Sequence, residues 1–457
     1  MRRLARRLAA WSPARWSLAI GLPFGLAFAW FTPPLQPPDE IRHLARAFLI
    51  AEGCFGAELH EGRAQVSVPR TLLRMPARLG EGIQMHPERR QEPWRLEREL
   101  RVALRPEVRE WRPLPSLYSP LAYLPGALGV GAARALGASP VELLYLGRIA
   151  NLLAYLVLLA AALRLAPAHR SAFLVLGLLP MSLFLAASLA ADAPTLGIAL
   201  LLVAAVLREA QPERGPLGWR PLVGLAALAA ALGLAKPGYL PVVGLAFLVP
   251  RARFGGRARW LAAQGAWLAC GVVPGVLWAA YVANLGHEPL VPGADPGAQL
   301  RWIAAHPAGF AGVLARTVRE LGWLWATSFV GLLGHADTWL PMWLYRAALA
   351  LLLAVALLDG GPASPVRGRG RALALGLAGA GLLATLGIAY LGWNEVAAPL
   401  VRGVQGRYLA PLAPLVLVAL HVPRARPLPP LLHGLVVGCV ALFLGVSVQR
   451  VLMRYWG

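Results

Sequence analysis

Residues 118–136 read YSPLAYLPGALGVGAARAL, and whether this stretch crosses a membrane decides the reading of every loop that follows. It is long and apolar enough to try. Yet Pro120 and Pro125 interrupt it, and Gly126, Gly129 and Gly131 weaken it as a helix. If it crosses, the later basic loops fall alternately on opposite sides of the membrane. If it only lies in the interface, the loops at 166–170, 208–220, 251–259, 367–371 and 424–426 all fall on one side. Lysine and arginine concentrate in cytoplasmic loops, so the second arrangement is the expected one.

The surrounding chain supports a membrane setting. Of 457 residues, 58% are apolar and 14% charged, and the mean hydropathy is +0.57. A soluble protein carries about a quarter charged residues. Many apolar runs approach the roughly twenty residues that cross a bilayer. The net charge of +22 resides in short clusters between those runs, including Arg2, Arg3, Arg6 and Arg7, which is a loop pattern and not a nucleic-acid surface. Cys54, Cys270 and Cys439 form no CxxC pair and no disulfide framework is expected.

The fold class is therefore an all-α polytopic membrane protein forming a single membrane domain over residues 1–457. About eleven transmembrane helices (ten to thirteen) are expected, near 16–35, 140–164, 171–190, 193–208, 221–235, 238–250, 260–284, 339–358, 372–392, 408–422 and 429–449. The first reads as an uncleaved helix, with a cytoplasmic N-terminus. A long first external loop, 36–139, holds twelve of the 22 acidic residues and reads as a subdomain with amphipathic, interfacial helices. Within it, 87–112 reads as a solvated helical face. A second external loop, 286–338, carries another interfacial helix, marked by Arg316, Arg319 and Glu320. Arg450 and Arg454 fall on the outer side against the charge rule.

On this topology several polar residues gather at one depth on the outer side. Pro37-Pro38 ends the first helix, leaving Asp39 and Glu40 at the surface with His43 one helical turn beyond. Such a set suits a general base with an orienting partner, or a metal ligand pair. Asp39 alternatively caps a helix beginning at Glu40. Asp192 lies between two apolar runs, facing a polar cavity or capping the next helix with Pro194. Lys236 is the only lysine against 43 arginines, at the meeting of two short helices. It binds a phosphate or adjusts a carboxylate, or else snorkels to the interface. Arg407 with Tyr408, where an outer loop enters the tenth span, forms a bidentate phosphate contact or an aromatic-belt anchor. His335 and Asp337 add an external histidine and carboxylate, and Arg148 within the second span needs a partner. Carboxylates beside cations at a lipid-accessible surface suit a lipid-linked anionic donor.

Eight segments occur in order: PPDEIRHLARAFLIAEG (37–53), SPLAYLPGALG (119–129), YLGRIANLL (145–153), LPMSLFLAASLAADA (179–193), LAKPGYLPVVGLAFLVPRARFG (234–255), DPGAQLRWIAAHP (295–307), FVGLLGHADTWLP (329–341) and GVQGRYLAPLAP (403–414). Over about residues 30 to 420 they resemble the bacterial membrane family catalogued as domain of unknown function 2142. That family is similar in layout to GT-C glycosyltransferases. The resemblance implies that Asp39 matches the first-loop catalytic carboxylate and Asp192 the second outer acidic position. It also implies that Lys236 falls at a Lys-Gly-Pro-like turn and Arg407 where donor phosphate is held. The sequence departs in its adjacent Asp39-Glu40, which leaves the identity of the base open, and in Ala-Ala-Asp192 where Ser-Tyr-Asp is usual.

The expectation is thus an inverting GT-C-type glycosyltransferase in the bacterial cytoplasmic membrane. Its donor is a polyprenyl-phosphate sugar, its acceptor a glycan, lipid or protein, its surroundings membrane lipid, and nucleic acid is not a partner. A divalent metal (Mg or Mn) on Asp39 and Asp192 is an option, not a requirement. Two other classes remain: a transporter or flippase of a lipid-linked substrate, and a non-catalytic protein of envelope-polysaccharide assembly.

Overall fold

Proline spacing sets where the first helix stops. Helix α1, Pro13–Phe31, ends two residues before Pro33-Pro34, and its last N–H···O bond is Thr32 N to Phe28 O, 3.1 Å. The structure, a computed structural model, describes residues 12–79, 81–113, 119–284, 291, 293–359, 364–422 and 429–457. The arginines at 2–7 and 424–426, and Tyr118, lie outside the described residues.

After α1 the chain turns through Leu35 and Asp39, both with left-handed backbone, into helix α2, Glu40–Ala51. There follows a feature the sequence reading did not contain. Strands β1 (Glu58–His60), β2 (Arg63–Pro69) and β3 (Arg109–Pro113) form an antiparallel sheet with β2 central and Ser67 opposite Trp111. Of the 87–112 run expected to be helical, Pro93–Leu100 is a helix and the end belongs to β3. The strand signal is present in β2, where Ala64, Val66 and Val68 alternate with polar residues and are buried.

The opening stretch resolves into a short 3-10 turn, Pro120–Tyr123, and helix α3, Leu124–Ala135. Twelve residues at about 1.5 Å each give roughly 18 Å, too short for about 30 Å of hydrocarbon. Gly137, left-handed, closes α3. A reciprocal cap then starts helix α4, Pro140–Leu165: Ser139 N donates to Glu142 Oε2 (2.7 Å), and Glu142 N to Ser139 Oγ (3.3 Å).

α4 packs on α1 through a fit of leucines into glycine notches. A Cβ at Gly21 or Gly25 would stand 2.5 Å from Leu156 or Leu152, so absent side chains let the helices close. That is how helices associate where no water drives them together. Proline breaks the next apolar run into Arg170–Gly177 and Pro180–Ala186. Helix α5, Asp192–Glu209, is almost wholly buried. Helix α6, Trp219–Ala235, leads into twelve residues of 3-10 helix, Pro237–Leu248. Runs of 3-10 helix beyond about four residues are uncommon. Here Pro237 and Pro241 remove the N–H groups an α-helix would use.

The remaining long helices are α7 (Arg257–Asn284), α8 (Pro307–Gly331), α9 (Met342–Leu358), α10 (Arg369–Trp393) and α11 (Pro430–Tyr455), with a small hairpin of β4 (Leu332–Leu333) and β5 (Thr338–Trp339) after α8. Among the described residues, five helices are long and apolar enough to cross a membrane: α1, α4, α7, α10 and, over Leu432–Tyr455, α11. Three shorter apolar helices accompany them: α6, the 3-10 run and α9. The other expected spans are interrupted or have charged ends, so helix length alone yields five and not eleven.

The end of α11 lies against the first loop. Arg454 donates to the carbonyls of Ile83 (2.8 Å), His86 (3.1 Å) and Arg89 (2.7 Å), and Gln91 N donates to Tyr455 O (2.8 Å). Arg454, one of the two arginines expected to lie against the charge rule, is held there by carbonyls and by Asp337.

Candidate functional site

Asp39 and Glu40 are adjacent in sequence and opposite in environment. Asp39 sits at φ 58° before α2, where its carbonyl accepts from Arg42 N (2.9 Å) and His43 N (3.1 Å). Its side chain makes no capping bond. The carboxylate is about half exposed, 53%, and faces Arg42 at 3.9 Å. A left-handed aspartate costs about 1 kcal/mol or more, and here it turns the carboxylate into a cavity of about 280 Å³.

Glu40 points inward and is fully buried. Both of its oxygens meet Arg148, at 2.8 and 2.5 Å, and Oε2 also accepts from Leu35 N at 3.0 Å. The other N–H groups of Arg148 go to the carbonyls of Ala29, Thr32 and Pro33 at 2.7, 2.7 and 3.1 Å. Those carbonyls include the unsatisfied end of α1. Glu40, read as an alternative base, and Arg148, read as a residue in need of a partner or a substrate contact, are thus paired with each other, buried and absent from the cavity lining.

His43, one turn beyond Asp39, accepts or donates at Nδ1 with Tyr123 Oη, 3.0 Å. Burial lowers its imidazole to about 4; Asp192 and Asp39 pull upward, and Arg407 and Lys236 push it down further. It is neutral at pH 7.

Asp192 is the first residue of α5, a place where the helix dipole favours a carboxylate. Its side chain caps nothing. Oδ1 accepts from Lys236 Nζ, and Oδ2 lies 3.9 Å from Arg407 Nε. Lys236 closes α6 in extended conformation, and its ammonium stands 4.9 Å from the centre of the Tyr408 ring. Arg407 is 5% exposed at the side chain, and its Nε is buried without a hydrogen-bond partner. Asp39, Lys236, Arg407 and Tyr408 thus line one cavity, and Ile388, Ala389 and Trp393 of α10 supply an apolar wall.

Residues that sequence reasoning passed over hold this cluster. Asn151, three positions after Arg148 on α4, donates to Ser188 O (2.7 Å) and Ala190 O (3.3 Å), fixing the turn before Asp192. Ser119 Oγ donates to Leu234 O (2.8 Å), bracing the approach to Lys236. On α8, Ser328 Oγ accepts from Gly406 N (2.8 Å) and Trp325 Nε1 donates to Val404 O (3.0 Å). The fit is tight: a Cβ at Gly406 would lie 1.8 Å from Trp325 O. A polar residue three positions from a singled-out arginine was the only advance signal, at Asn151.

His335 and Asp337 are not brought to this cavity. Asp337 accepts from Arg454 (2.7 Å) and lies 3.5 Å from Tyr455 Oη, so its charge fastens α11 to the β4–β5 turn. His335 occupies the same turn, with Nδ1 buried and unpartnered. Among the described residues, no group of three or more His, Cys, Asp or Glu side chains is arranged to hold a metal ion.

None of the curated proteins and none of the solved structures compared with the chain matches it. A family model does match, over residues 22–416, and the chain belongs to that family, DUF2142, described as a predicted membrane protein.

Proposed function

We propose that the protein is a membrane glycosyltransferase that uses a polyprenyl-phosphate-linked sugar on the outer face of the bacterial cytoplasmic membrane, acting in envelope glycan or glycolipid assembly. The topology in this reading is eleven spans with the N-terminus cytoplasmic, the shorter apolar segments completing the five long helices.

One observation carries the proposal. Two cations, Lys236 and Arg407, share the largely shielded carboxylate of Asp192 beside a cavity that also receives the half-exposed carboxylate of Asp39 and has an apolar wall. Asp39 takes the proton of the acceptor hydroxyl, whose oxygen attacks the anomeric carbon as the bond from that carbon to the lipid phosphate oxygen breaks. The departing phosphate gains charge, which the cations Lys236 and Arg407 stabilise. One displacement inverts the anomeric centre. Asp192 acts as a positioning residue, holding both cations toward the cavity. Its oxygens already face two cations, so Asp39 and Asp192 do not fit a divalent ion as a ligand pair.

The test is transfer by the purified protein from radiolabelled polyprenyl-phosphate sugars. Asp39→Asn is expected to lower kcat by about 10²–10⁴-fold, the usual contribution of a general base, with thermal stability kept. A wild type that transfers from no donor, yet moves the lipid-linked sugar across proteoliposomes, overturns the proposal in favour of transport.

A further inference from the structure

A second cavity, of about 470 Å³, opens in the 36–139 segment and shares no lining residue with the first. Four arginines line it, Arg70, Arg74, Arg78 and Arg105, together with the apolar Val102 and Val108, and no carboxylate does. Two of the arginines are set firmly. Arg78 reaches Glu99, whose carboxylate is wholly buried, through Nε at 2.8 Å and Nη2 at 2.5 Å, and Nη2 also donates to Thr71 O at 2.8 Å. Arg70 Nε meets Glu110 at 2.5 Å. The backbone closes the ring: Arg70 N donates to Val108 O at 2.8 Å, and Arg105 N lies 3.5 Å from Thr71 Oγ1.

Arg74 and Arg105, both exposed, have no carboxylate partner among the described residues. Four guanidinium groups less two paired carboxylates leave a surplus of two positive charges at one concave place. Residues 38–117 hold fourteen arginines and twelve acidic residues, a difference that is also two. The segment is otherwise balanced, so this concentration is a local feature and not an overflow of the basic composition.

We infer that this cavity is a binding site for an oxyanion of the phosphate class, carried on a group whose apolar or ring portion rests on Val102 and Val108. Planar guanidinium forks suit paired phosphate oxygens. Concave walls of one sign raise the local concentration of such a ligand. The phosphate belongs either to an anionic lipid headgroup or to a soluble sugar phosphate. The site is independent of glycosyl transfer.

The experiment uses the full protein in phosphatidylcholine nanodiscs, titrated with glucose 1-phosphate and, as control, glucose, with thermal unfolding and isothermal titration as readouts. The wild type is expected to bind the phosphate and not the neutral sugar. Arg74→Gln with Arg105→Gln is expected to weaken binding at least tenfold, and the two lysine replacements to restore most of it. Arg407→Gln, which alters the other cavity, is expected to keep the response. Repeating the titration in phosphatidylglycerol nanodiscs separates the sources: competition assigns the site to headgroups, and an unchanged isotherm assigns it to a soluble phosphate. The inference falls if the wild type does not distinguish glucose 1-phosphate from glucose. It also falls if the double glutamine variant binds like the wild type, or if the response vanishes in Arg407→Gln.

Discussion

Replacing Glu40 by Gln separates two neighbours that look interchangeable in sequence. The perturbation removes one charge from a pair with no exposure at either side chain. A guanidinium is then left buried among carbonyls without a counter-ion. The amide also presents a donor to Leu35 N or to Arg148, where the carboxylate offered only acceptors. Breaking a buried pair from one side costs about 3–5 kcal/mol. That is a large part of the roughly 5–15 kcal/mol that holds a typical protein folded. The assay is thermal unfolding in nanodiscs, with the yield of folded protein as a second readout. Glu40→Gln is expected to fall well below the wild type on both, and Asp39→Asn to stay close to it. Removing both charges, as Glu40→Leu with Arg148→Met, is expected to recover part of the loss. Recovery stays partial because the Ala29, Thr32 and Pro33 carbonyls lose their donor. A Glu40→Gln protein as stable as the wild type would refute the reasoning.

Arg46 is buried with Nε and Nη1 unpartnered and a single bond from Nη2 to Phe55 O, 2.7 Å. Since each unmet buried donor costs about 1–3 kcal/mol, Arg46→Met is expected to raise the melting temperature, and a fall would contradict this. Gly406→Ala places a methyl against the α8 backbone and is expected to displace the Arg407 turn. Donor affinity should drop more than tenfold, a change Trp325→Phe should not match, since it loses one hydrogen bond worth about 1 kcal/mol. For His43, the folded imidazole lies near 4 against an ordinary 6.5, so the unfolded chain binds more protons between those values. Stability is expected to fall as pH drops from 6.5 to 4 and to be level above pH 7; His43→Gln should flatten the slope in denaturant titrations.

Much of this arrangement was legible in the residues. The prolines at 120 and 125 mark the break between the 3-10 turn and the twelve-residue helix α3, and the solitary Lys236 stands beside Asp192 in the cavity lining. What escaped the reading depends on distance along the chain. Glu40 and Arg148 meet across 108 positions, so their saturation of each other has no local mark, and Glu40 looked as available as Asp39. Asp337 was read as an open external carboxylate because its partner, Arg454, comes 117 positions later. The three-strand sheet was missed for a different reason: charge-rich sequence around 87–112 carries helix periodicity, and only the alternation within β2 betrayed a strand. Asn151, Trp325 and Ser328 act through backbone groups of other segments, an interaction that residue type does not announce.

The fastening of α11 to the first loop has a consequence for biosynthesis. Arg454 holds the carbonyl of Ile83 from 371 positions downstream. At about 5–20 residues per second, translation needs roughly 20–75 s to cover that interval. Throughout it, the loop that carries the arginine cavity has been made but lacks its last anchor. Until α11 is made, the carbonyls of Ile83, His86 and Arg89 lack the guanidinium donor that ties them down.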